Sequence, residues 1–504
     1  HYYDKLQVRP NMLYRWMNYQ QFVRSKQMRA SNRTRLYSQY RQEQVQEKLS
    51  QLGIFSYMDM QYAPRDTTAA CDTLDVTMQA TFAKPLDAEL ELNVVTKSND
   101  QTGPGASFGV TRNNVFGGGE SWNVKLKGSY EWQTGGGEKS SLMNSWEMGL
   151  STSLTFPRVV FPHLGKREFD FPATTTFRLY INQLNRAKYY KLLSFGGNAT
   201  YDFQPSRTSR HSITPFKLTF NVLQHQSAEF KEIAEANPAL YVSLRNQFIP
   251  AMEYTYTYDN ASGRRIKNPI WWQSTVTSAG NITSLIYRAF GKPFNEEDKS
   301  LLGAPFAQFV KLNTELRHLW NIDKNNAIAS RVAVGALFTY GNATIAPYSE
   351  QFYVGGANSI RAFTVRSVGP GGYHPEEGKY SYLDQTGTFR FEANVEYRFR
   401  IFKSFWGATF LDAGNVWLLR KDRKLLADGK EARPNSQLRL KTFPKQIALG
   451  TGVGIRYDMD ILVFRLDFGI PLHLPYDTDR SGYYNVTGAF FKNLGIHFAI
   501  GYPF

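Results

Sequence analysis

The sequence predicts a mainly β protein, a 16-stranded antiparallel transmembrane β-barrel preceded by one small α+β domain, and three observations lead there. First, 15% of the 504 residues are aromatic, yet no run approaches the ~18 consecutive apolar residues that mark a membrane-spanning helix. Second, from about residue 86 onward apolar and polar residues alternate with a period of two, as in strands with one apolar face. Third, the alternating segments are joined by short and long connections in turn. In a barrel only every second residue of a strand meets lipid, so low mean hydropathy is compatible with crossing a bilayer.

Residues 1–86 read as the small domain and 87–504 as the barrel. In the small domain, Leu36, Tyr40, Val45, Leu49 and Leu52 fall near helical spacing within residues 32–53, and Gly53 supplies a left-handed stop. Residues 54–64 and 73–82 alternate as strands, joined by a polar loop around Cys71. One helix packed on a small sheet is enough for a domain of that length.

In the barrel region, Phe389, Phe391, Ala393, Val395, Tyr397, Phe399 and Ile401 share one face, while Arg390, Glu392, Asn394, Glu396, Arg398 and Arg400 share the other. The same pattern recurs around Trp122, Trp146 and Val332, and again in the closing run Ile496, Phe498, Ile500, Tyr502, Phe504. Such segments number about 16, most near the ~9–11 residues that a tilted strand needs to cross a bilayer, and an even count suits an up-and-down bacterial barrel. If residues 87–98 rise from the periplasmic side, the links near 321–326, 402–405 and 458–460 become short periplasmic turns. The long links 341–387, 418–444 and 473–493 then face outward. The segment 227–240 breaks the pattern, with Phe230, Ile233 and Ala234 at the spacing of a short helix inside a loop.

Composition and motifs exclude several functions. A net charge of +16 comes from basic residues at alternating or loop positions rather than from a helical stripe, and no nucleic-acid-binding motif accompanies it. The single Cys71 rules out a disulfide framework and a multi-cysteine metal site. The chain opens at His1 without Met, as expected of a processed or shortened product. No nucleophile elbow, His-Glu-x-x-His run or clustered His/Cys set is present, so no catalytic, cofactor-binding or metal residues are assigned and no enzyme activity is expected. His374 and His497 are isolated and read as ordinary surface or barrel residues.

One connection stands apart. Residues 351–373, "QFYVGGANSIRAFTVRSVGPGGY", are too rich in Gly for a strand and carry Gly355, Gly356 and then Arg361, Ala362 and Phe363. Two readings are open for Arg361. It is a solvated loop charge, or the loop at 341–387 folds into the barrel and presents Arg361 as a bidentate partner to an acid. Glu392, Glu396, Asp412 and Asp467 all have lumen-facing parity. In "GTGVGI" (450–455) the glycines alternate with Thr451, Val453 and Ile455, which fits a strand leaving lumen space for a packed neighbour rather than a phosphate loop.

These residues carry a resemblance. "GGANSIRAF" resembles the sixth-loop motif of the outer-membrane protein assembly superfamily that includes BamA and TamA, usually Val/Ile-Arg-Gly-Phe/Tyr. "FLDAGNVW" (410–417) resembles its Phe-x-Asp-x-Gly strand, and "RLDFGIPL" with the terminal "IHFAIGYPF" its last two strands. Residues 112–131 are similar to its opening strands, and the small domain is similar to a polypeptide-transport-associated (POTRA) domain. The stretches 237–250 and 349–372 look most like TamL, the TamA-related lipoproteins of Bacteroidetes-type bacteria, with BamA of such organisms next. Ala362 departs from the usual Gly, which raises the question of a positive φ there. One POTRA-like unit and no early lipoprotein cysteine are further departures, as a shortened N-terminus would give.

The resemblance implies an assembly factor in the bacterial outer membrane with its N-terminal domain in the periplasm, working without cofactors. Its implied clients are unfolded outer-membrane proteins, and its implied partners are a TamB-like periplasm-spanning protein or accessory lipoproteins. A core subunit of the barrel assembly machinery and a two-partner-type secretion pore are the alternatives. Independently of family, Gly495, Gly501, Pro503 and Phe504 in the terminal segment predict a weak seam with the first strand, because Pro503 cannot donate to a ladder. The loop 418–444, with Lys421, Arg423, Lys424, Lys430 and Arg433, offers a contact for anionic lipid or lipopolysaccharide, or is simply solvated.

Overall fold

The computed structural model describes residues 8–9, 12–13, 39–66, 74–96, 101–133, 145–161, 173–186, 190–228, 231, 246–262, 266–295, 299–301, 304–342, 346–375, 385–421, 431, 433–459, 462–480, 482–488 and 493–504. Cys71, the 227–240 helix at Phe230, Ile233 and Ala234, and Arg423, Lys424 and Lys430 lie outside them.

The N-terminal unit is small because its core is. Helix α1 (Gln39–Gln51) turns Val45 and Leu49 onto Ile54, Met58 and Met60, and all five are buried. The helix stops at Gly53, whose φ of +66° a side chain would oppose. Strands β1 (Phe55–Pro64) and β2 (Leu74–Phe82) pair antiparallel. Gln42 and Gln46 of α1 donate to the Met60 and Met58 carbonyls, each at 3.1 Å. The unit rests on residues 114–120: Arg9 N–H donates to the Gly117 carbonyl at 2.7 Å, and Gly119 lies against Ile54 and Leu52.

The rest of the chain is built around one antiparallel sheet of sixteen strands, each hydrogen-bonded to its neighbours in chain order. The strands are β3 (Leu86–Thr96), β4 (Gln101–Asn113), β5 (Ser121–Gln133), β6 (Ser145–Phe156), β7 (Ala173–Arg186), β8 (Tyr190–Ser206), β9 (Ser209–Gln226), β10 (Gln247–Asp259) and β11 (Ile270–Ala279). After helix α2 (Asn281–Ala289) and the two-residue strands β12 (Ser300–Leu301) and β13 (Ala304–Pro305), the sheet resumes. It continues with β14 (Phe309–Asn321), β15 (Asn326–Thr339), β16 (Phe389–Phe402), β17 (Phe405–Trp417), β18 (Ala448–Asp458), β19 (Val463–His473) and β20 (Gly495–Ile500).

Strand direction sorts the connections. The turn at 114–120, against which the N-terminal unit packs, lies on the same side as the tight links 207–208, 322–325, 403–404 and 459–462. The long connections 227–246, 280–308, 340–388, 418–447 and 474–494 lie on the other. Sequence explains the tight side locally: Lys403 takes a φ of +41°, and Asp323 accepts from the Asn325 N–H at 2.6 Å and from the Asn326 side chain. Those bonds to Asn325 and Asn326 hold the Asp323 carboxyl below its usual range.

Burial along the C-terminal strands is inverted relative to a soluble protein. In β16 the charged Glu392 and Glu396 are buried while Val395 and Tyr397, on either side of Glu396, are exposed. In β17 Asp412 is buried and Leu411 exposed; in β18 Arg456 is buried while Val453 is 60% exposed. An apolar outer band around a polar interior is how a transmembrane barrel satisfies lipid outside and water or plug inside. Trp122, Trp272 and Trp320 lie exposed near the tight-turn ends of β5, β11 and β14, at interfacial depth.

The two ends of the sheet correct one expectation. The last strand was expected to run to residue 504, but β20 stops at Ile500, because Gly501 adopts φ +87° and bends the chain away. Gly501 N–H makes the last main-chain bond to β19, donating to Val463 O at 2.7 Å, Pro503 and Phe504 lie beyond the ladder, and β20 pairs with β19 at six positions, from Phe464↔Ile500 to Gly469↔Gly495. Among the described residues no ladder joins β20 to β3.

Val453→Lys places a charge at the exposed middle of β18, and midplane lysines on a barrel's lipid face cost about 2–4 kcal/mol. Denaturant unfolding from lipid vesicles should show that loss, whereas Thr451→Lys, nearer the strand's outward end, should cost less.

Candidate functional site

The connection 340–388 enters the barrel, and its local sequence explains how. Gly355 has φ +103°, and a Cβ there would sit 2.0 Å from the Thr364 carbonyl oxygen, so only Gly lets residue 355 lie back against residue 364. Gly356 N–H donates to Phe363 O at 2.8 Å, and Phe363 N–H donates to Ile360 O at 3.1 Å. Gly355 N–H donates to Ser359 Oγ at 3.0 Å. The resulting knot has an apolar base: Val354, Ile360, Phe363 and Val368 pack with Ile249, Phe309, Leu337 and Val416 from the inner wall. Phe363 is thus a buried packing residue.

Arg361 projects from the knot into the lumen with none of its surface exposed. Its Nε donates to Asp412 Oδ2 at 2.8 Å and its Nη2 to Asp412 Oδ1 at 2.9 Å, a bidentate fork, while its backbone N–H donates to Oδ2 at 3.0 Å. Nη1 donates to Glu396. The guanidinium lies 3.6 Å above the Phe410 ring, so four surroundings hold it at once: two acids, a backbone-anchored turn and an aromatic face.

The other candidate acids occupy different places. Asp467 reaches Arg361 only at 4.0 Å; its close partners are Arg456 at 2.6 Å and Arg465 at 3.2 Å. Glu392, expected to share Arg361, does not meet it among the described contacts. It accepts from Ser359 Oγ at 2.6 Å and pairs with Arg331 at 3.1 Å and Arg390 at 3.3 Å. The reason is register: Asn394 pairs with Asp412, Glu396 with Phe410 and Glu392 with Gly414, so Glu392 sits one row toward the outward rim. It still holds the same loop, through Ser359 rather than Arg361. Asn394 bridges the two, donating to Ser359 O and Asp412 Oδ1 at 2.9 Å each.

Several partners were not anticipated. Arg456 joins Glu396 at 3.0 Å to Asp467, Arg398 joins Glu396 at 2.7 Å, and Arg465 donates to the Ala357 carbonyl at 2.9 Å and to Asn358. Their inward parity on β16, β18 and β19 was the available signal. His497 of β20, read as an ordinary residue, is buried and donates from Nε2 to the Arg361 carbonyl at 2.7 Å. Its place between outward Ile496 and Phe498 was the cue. Tyr502 lies 4.2 Å under Arg398, so the segment after β20 turns toward the same cluster. His374 stacks on Tyr476 at 4.0 Å, away from Arg361.

Ala362 is accommodated rather than strained. Its φ is not positive, so the expected conflict does not arise. Its Cβ faces Gly450, where an added Cβ would approach it to 2.4 Å, and a Cβ on Gly469 would sit 3.0 Å from its Cα. The glycines of "GTGVGI" and "LDFGI" leave the room that the loop fills.

A sixteen-stranded barrel-type sheet with a charged interior, entered by a loop whose arginine is clamped to the wall, defines a class of β-barrel plugged by its own connection. The chain belongs to the Omp85 superfamily, whose domain matches residues 114–504. Among solved structures it is similar to BamA from Haemophilus ducreyi lacking POTRA domains 1-3, with 13% identity and a TM-score of 0.60, over 98% of this chain and 81% of that one. It is also similar to CdiB from Acinetobacter baumannii, with 12% identity and a TM-score of 0.48, over 92% of this chain and 68% of that one. Superfamily members such as BamA and CdiB are outer-membrane insertion or secretion proteins.

Arg361→Ala leaves Asp412 and Glu396 buried without their cation, and breaking such a pair costs about 3–5 kcal/mol. The loss should appear as protease cleavage within 341–387 in vesicle-embedded protein. Arg361→Lys should repair it only partly, since an ammonium lacks the fork. Gly450→Leu should expel the loop in the same assay, whereas Ala362→Gly should leave it seated.

Proposed function

We propose that this chain is an outer-membrane protein assembly factor of the TamA/TamL type, which assists folding and insertion of other barrel or surface proteins through the seam between β3 and β20. The observation that carries the reading is the unpaired pair of sheet ends. β20 has six residues against eleven in β19, and β3 pairs on one side only, with β4. Free strand edges present rows of unpaired N–H and C=O groups that template an incoming strand by β-augmentation. In hydrocarbon, unsatisfied backbone groups are costly, so a client strand that pairs with an open edge lowers its own insertion cost. No nucleotide or covalent chemistry is needed for that step.

The loop knot supports this reading. Arg361, Asp412 and Glu396 hold the plug against β16 and β17, and His497 ties the plug to β20 itself, so the mobile edge keeps a fixed interior reference. The N-terminal unit is assigned as a POTRA-like periplasmic domain. Its helix-on-hairpin build and its seat on the tight-turn side favour that assignment. It offers the surface for clients arriving from the periplasm and for a TamB-like partner or accessory lipoproteins. A barrel assembly core subunit would use the same seam; co-purification from native membranes separates the two by the partner recovered.

The test is a reversible seam lock. In a Cys71→Ser background, cysteines are placed in β3 around Leu90 and in β20 around Phe498, both exposed positions, and the register is scanned for a pair that oxidises. The oxidised barrel should lose its acceleration of client folding into vesicles, and reductant should restore it. Full acceleration by a locked barrel would reject the seam mechanism. Ion conductance with dependence on one exoprotein would instead indicate a secretion pore.

A further inference from the structure

The connection 280–308 contains a helix that the lumen plug does not use. Helix α2 (Asn281–Ala289) buries Thr283 and Ser284 but leaves Ile282, Leu285 and Ile286 about half exposed and Phe290, just past its end, 85% exposed. At i, i+3, i+4 and i+8 these four side chains form one stripe. Leaving four large apolar groups in water on a helix would be costly, yet the structure fixes the helix in that orientation with unusual care.

The fixing is polar and buried. Lys299, 1% exposed, donates from Nζ to the Phe294 carbonyl at 2.6 Å and to Ser284 Oγ at 3.2 Å. Ser284 Oγ donates to Gln308 Oε1 at 2.9 Å, which also accepts from the Asn342 N–H at 2.9 Å. Gly280, at φ +70°, starts the helix in a space where a Cβ would come within 2.3 Å of the Ala307 carbonyl. A buried lysine clamping two turns is a rigid mount and not a floppy excursion.

Its position identifies what covers the stripe. On β10, Ile249 and Ala251 pack inward with the plug, whereas Met252 and Tyr254 are exposed on the outer face. Phe248 shares the outer parity, and it is covered by Phe306, with which it forms a bridge. Tyr287 of α2 packs on that same Phe306, at 6.1 Å between ring centroids, and outward-facing Phe220 of β9 joins them. The hairpin of β12 and β13 and helix α2 are therefore draped over the outside of the barrel at its outward rim. Phe220 and Phe248 also line the top of an apolar groove of about 870 Å³ that runs down the outer wall past Phe216, Gly197 and Phe177. The stripe is thus continuous with the apolar outer band, and exposed Arg288 and Lys292 flank Phe290.

From this we infer that α2 is an interfacial membrane anchor, lying in the outer leaflet with Ile282, Leu285, Ile286 and Phe290 among acyl chains and Arg288 and Lys292 at the anionic headgroups. Helices of this kind bury their apolar face about 5–10 Å into the headgroup/acyl boundary. Strand β11, from which α2 springs, is ninth of the sixteen and so stands halfway around the sheet from the β3 and β20 edges. The anchor holds the wall opposite the seam at a fixed depth while the seam edges move.

The inference rests on the membrane-spanning reading, and the experiment separates the two. In the Cys71→Ser full chain, bimane is attached at Leu285→Cys, at Leu179→Cys on the outer wall of β7, or at Asp479→Cys, an exposed position in the 474–494 connection. The protein is reconstituted in phosphatidylcholine–phosphatidylglycerol vesicles carrying lipids brominated at shallow or deep acyl positions. Quenching at Leu179 tests the barrel by itself. With Leu179 quenched, strong quenching at Leu285 by the shallow bromines and a blue-shifted emission establish the anchor. Emission at Leu285 matching the water-exposed Asp479 probe overturns it. A second arm adds Ile286→Asp and Phe290→Asp to the Leu285 probe in protein that keeps its folded migration in gels: loss of shallow quenching supports the anchor, and unchanged quenching rejects it.

Discussion

The bidentate pair of Arg361 with Asp412 is the constraint on which the interior of this barrel depends. A guanidinium taken fully out of water loses its hydration, and only well-formed ionic hydrogen bonds offset that loss. Here each of the three guanidinium nitrogens donates to a carboxylate, and the Phe410 face covers one side of the plane. The loop cannot sit at a neighbouring depth, because a shift of one row along β17 would exchange Asp412 for Phe410 or Gly414. Charge thus sets the height of the plug, and the surrounding apolar cluster of Ile360, Phe363 and Val416 supplies cohesion without register.

How much of this was legible follows from what periodicity encodes. Alternation in residues 389–401 gives the face each side chain takes, since successive residues point to opposite sides of a sheet. The same parity along β16, β17 and β19 points Glu392, Glu396, Asp412 and Asp467 inward, and all four are buried. Parity says nothing about height along the barrel axis, which depends on the stagger between strands. That is why Glu392 was grouped with Arg361 when it lies one row above, on Ser359. The sixteen strands were legible because the pattern recurs, but the end of the last one was not. Isoleucine and tyrosine continue to alternate through Tyr502, while the chain direction changes at Gly501, a residue whose positive φ leaves no mark on hydropathy.

Ala362 and the glycines opposite it show a different kind of encoding. Read alone, Ala at this position is a departure from the Gly expected by resemblance, and read alone "GTGVGI" is merely a weak strand. Together they are one steric statement. Gly450 and Gly469 withdraw their side chains where Ala362 presents its methyl group, so the loop backbone passes within contact distance of the wall. Closely packed interiors tolerate little change in volume, so the freedom at 362 is bounded by the two strand positions and not by backbone conformation at 362 itself. Pairing between distant segments of this type is invisible to any single window of sequence.

The same plug reaches the seam. His497 occupies the inward face of β20 and donates to the carbonyl of Arg361, while Tyr502 and Arg398 stack beyond the strand's end. Strand β20 is held on one side by six register pairs with β19 and from within by this hydrogen bond, and on its other side by nothing described. An edge held in that way is asymmetric. Its outer edge has no ladder partner among the described residues, yet its inward His497 stays tied to the carbonyl of Arg361, which belongs to a buried ionic cluster spanning β16 to β19. Displacing β20 outward would break the His497 bond before it disturbed Asp412, because the fork to Asp412 belongs to β17. The contacts that hold β20 and those that seat the plug are therefore separate in this fold: the fork to Asp412 does not depend on the bond that β20 makes.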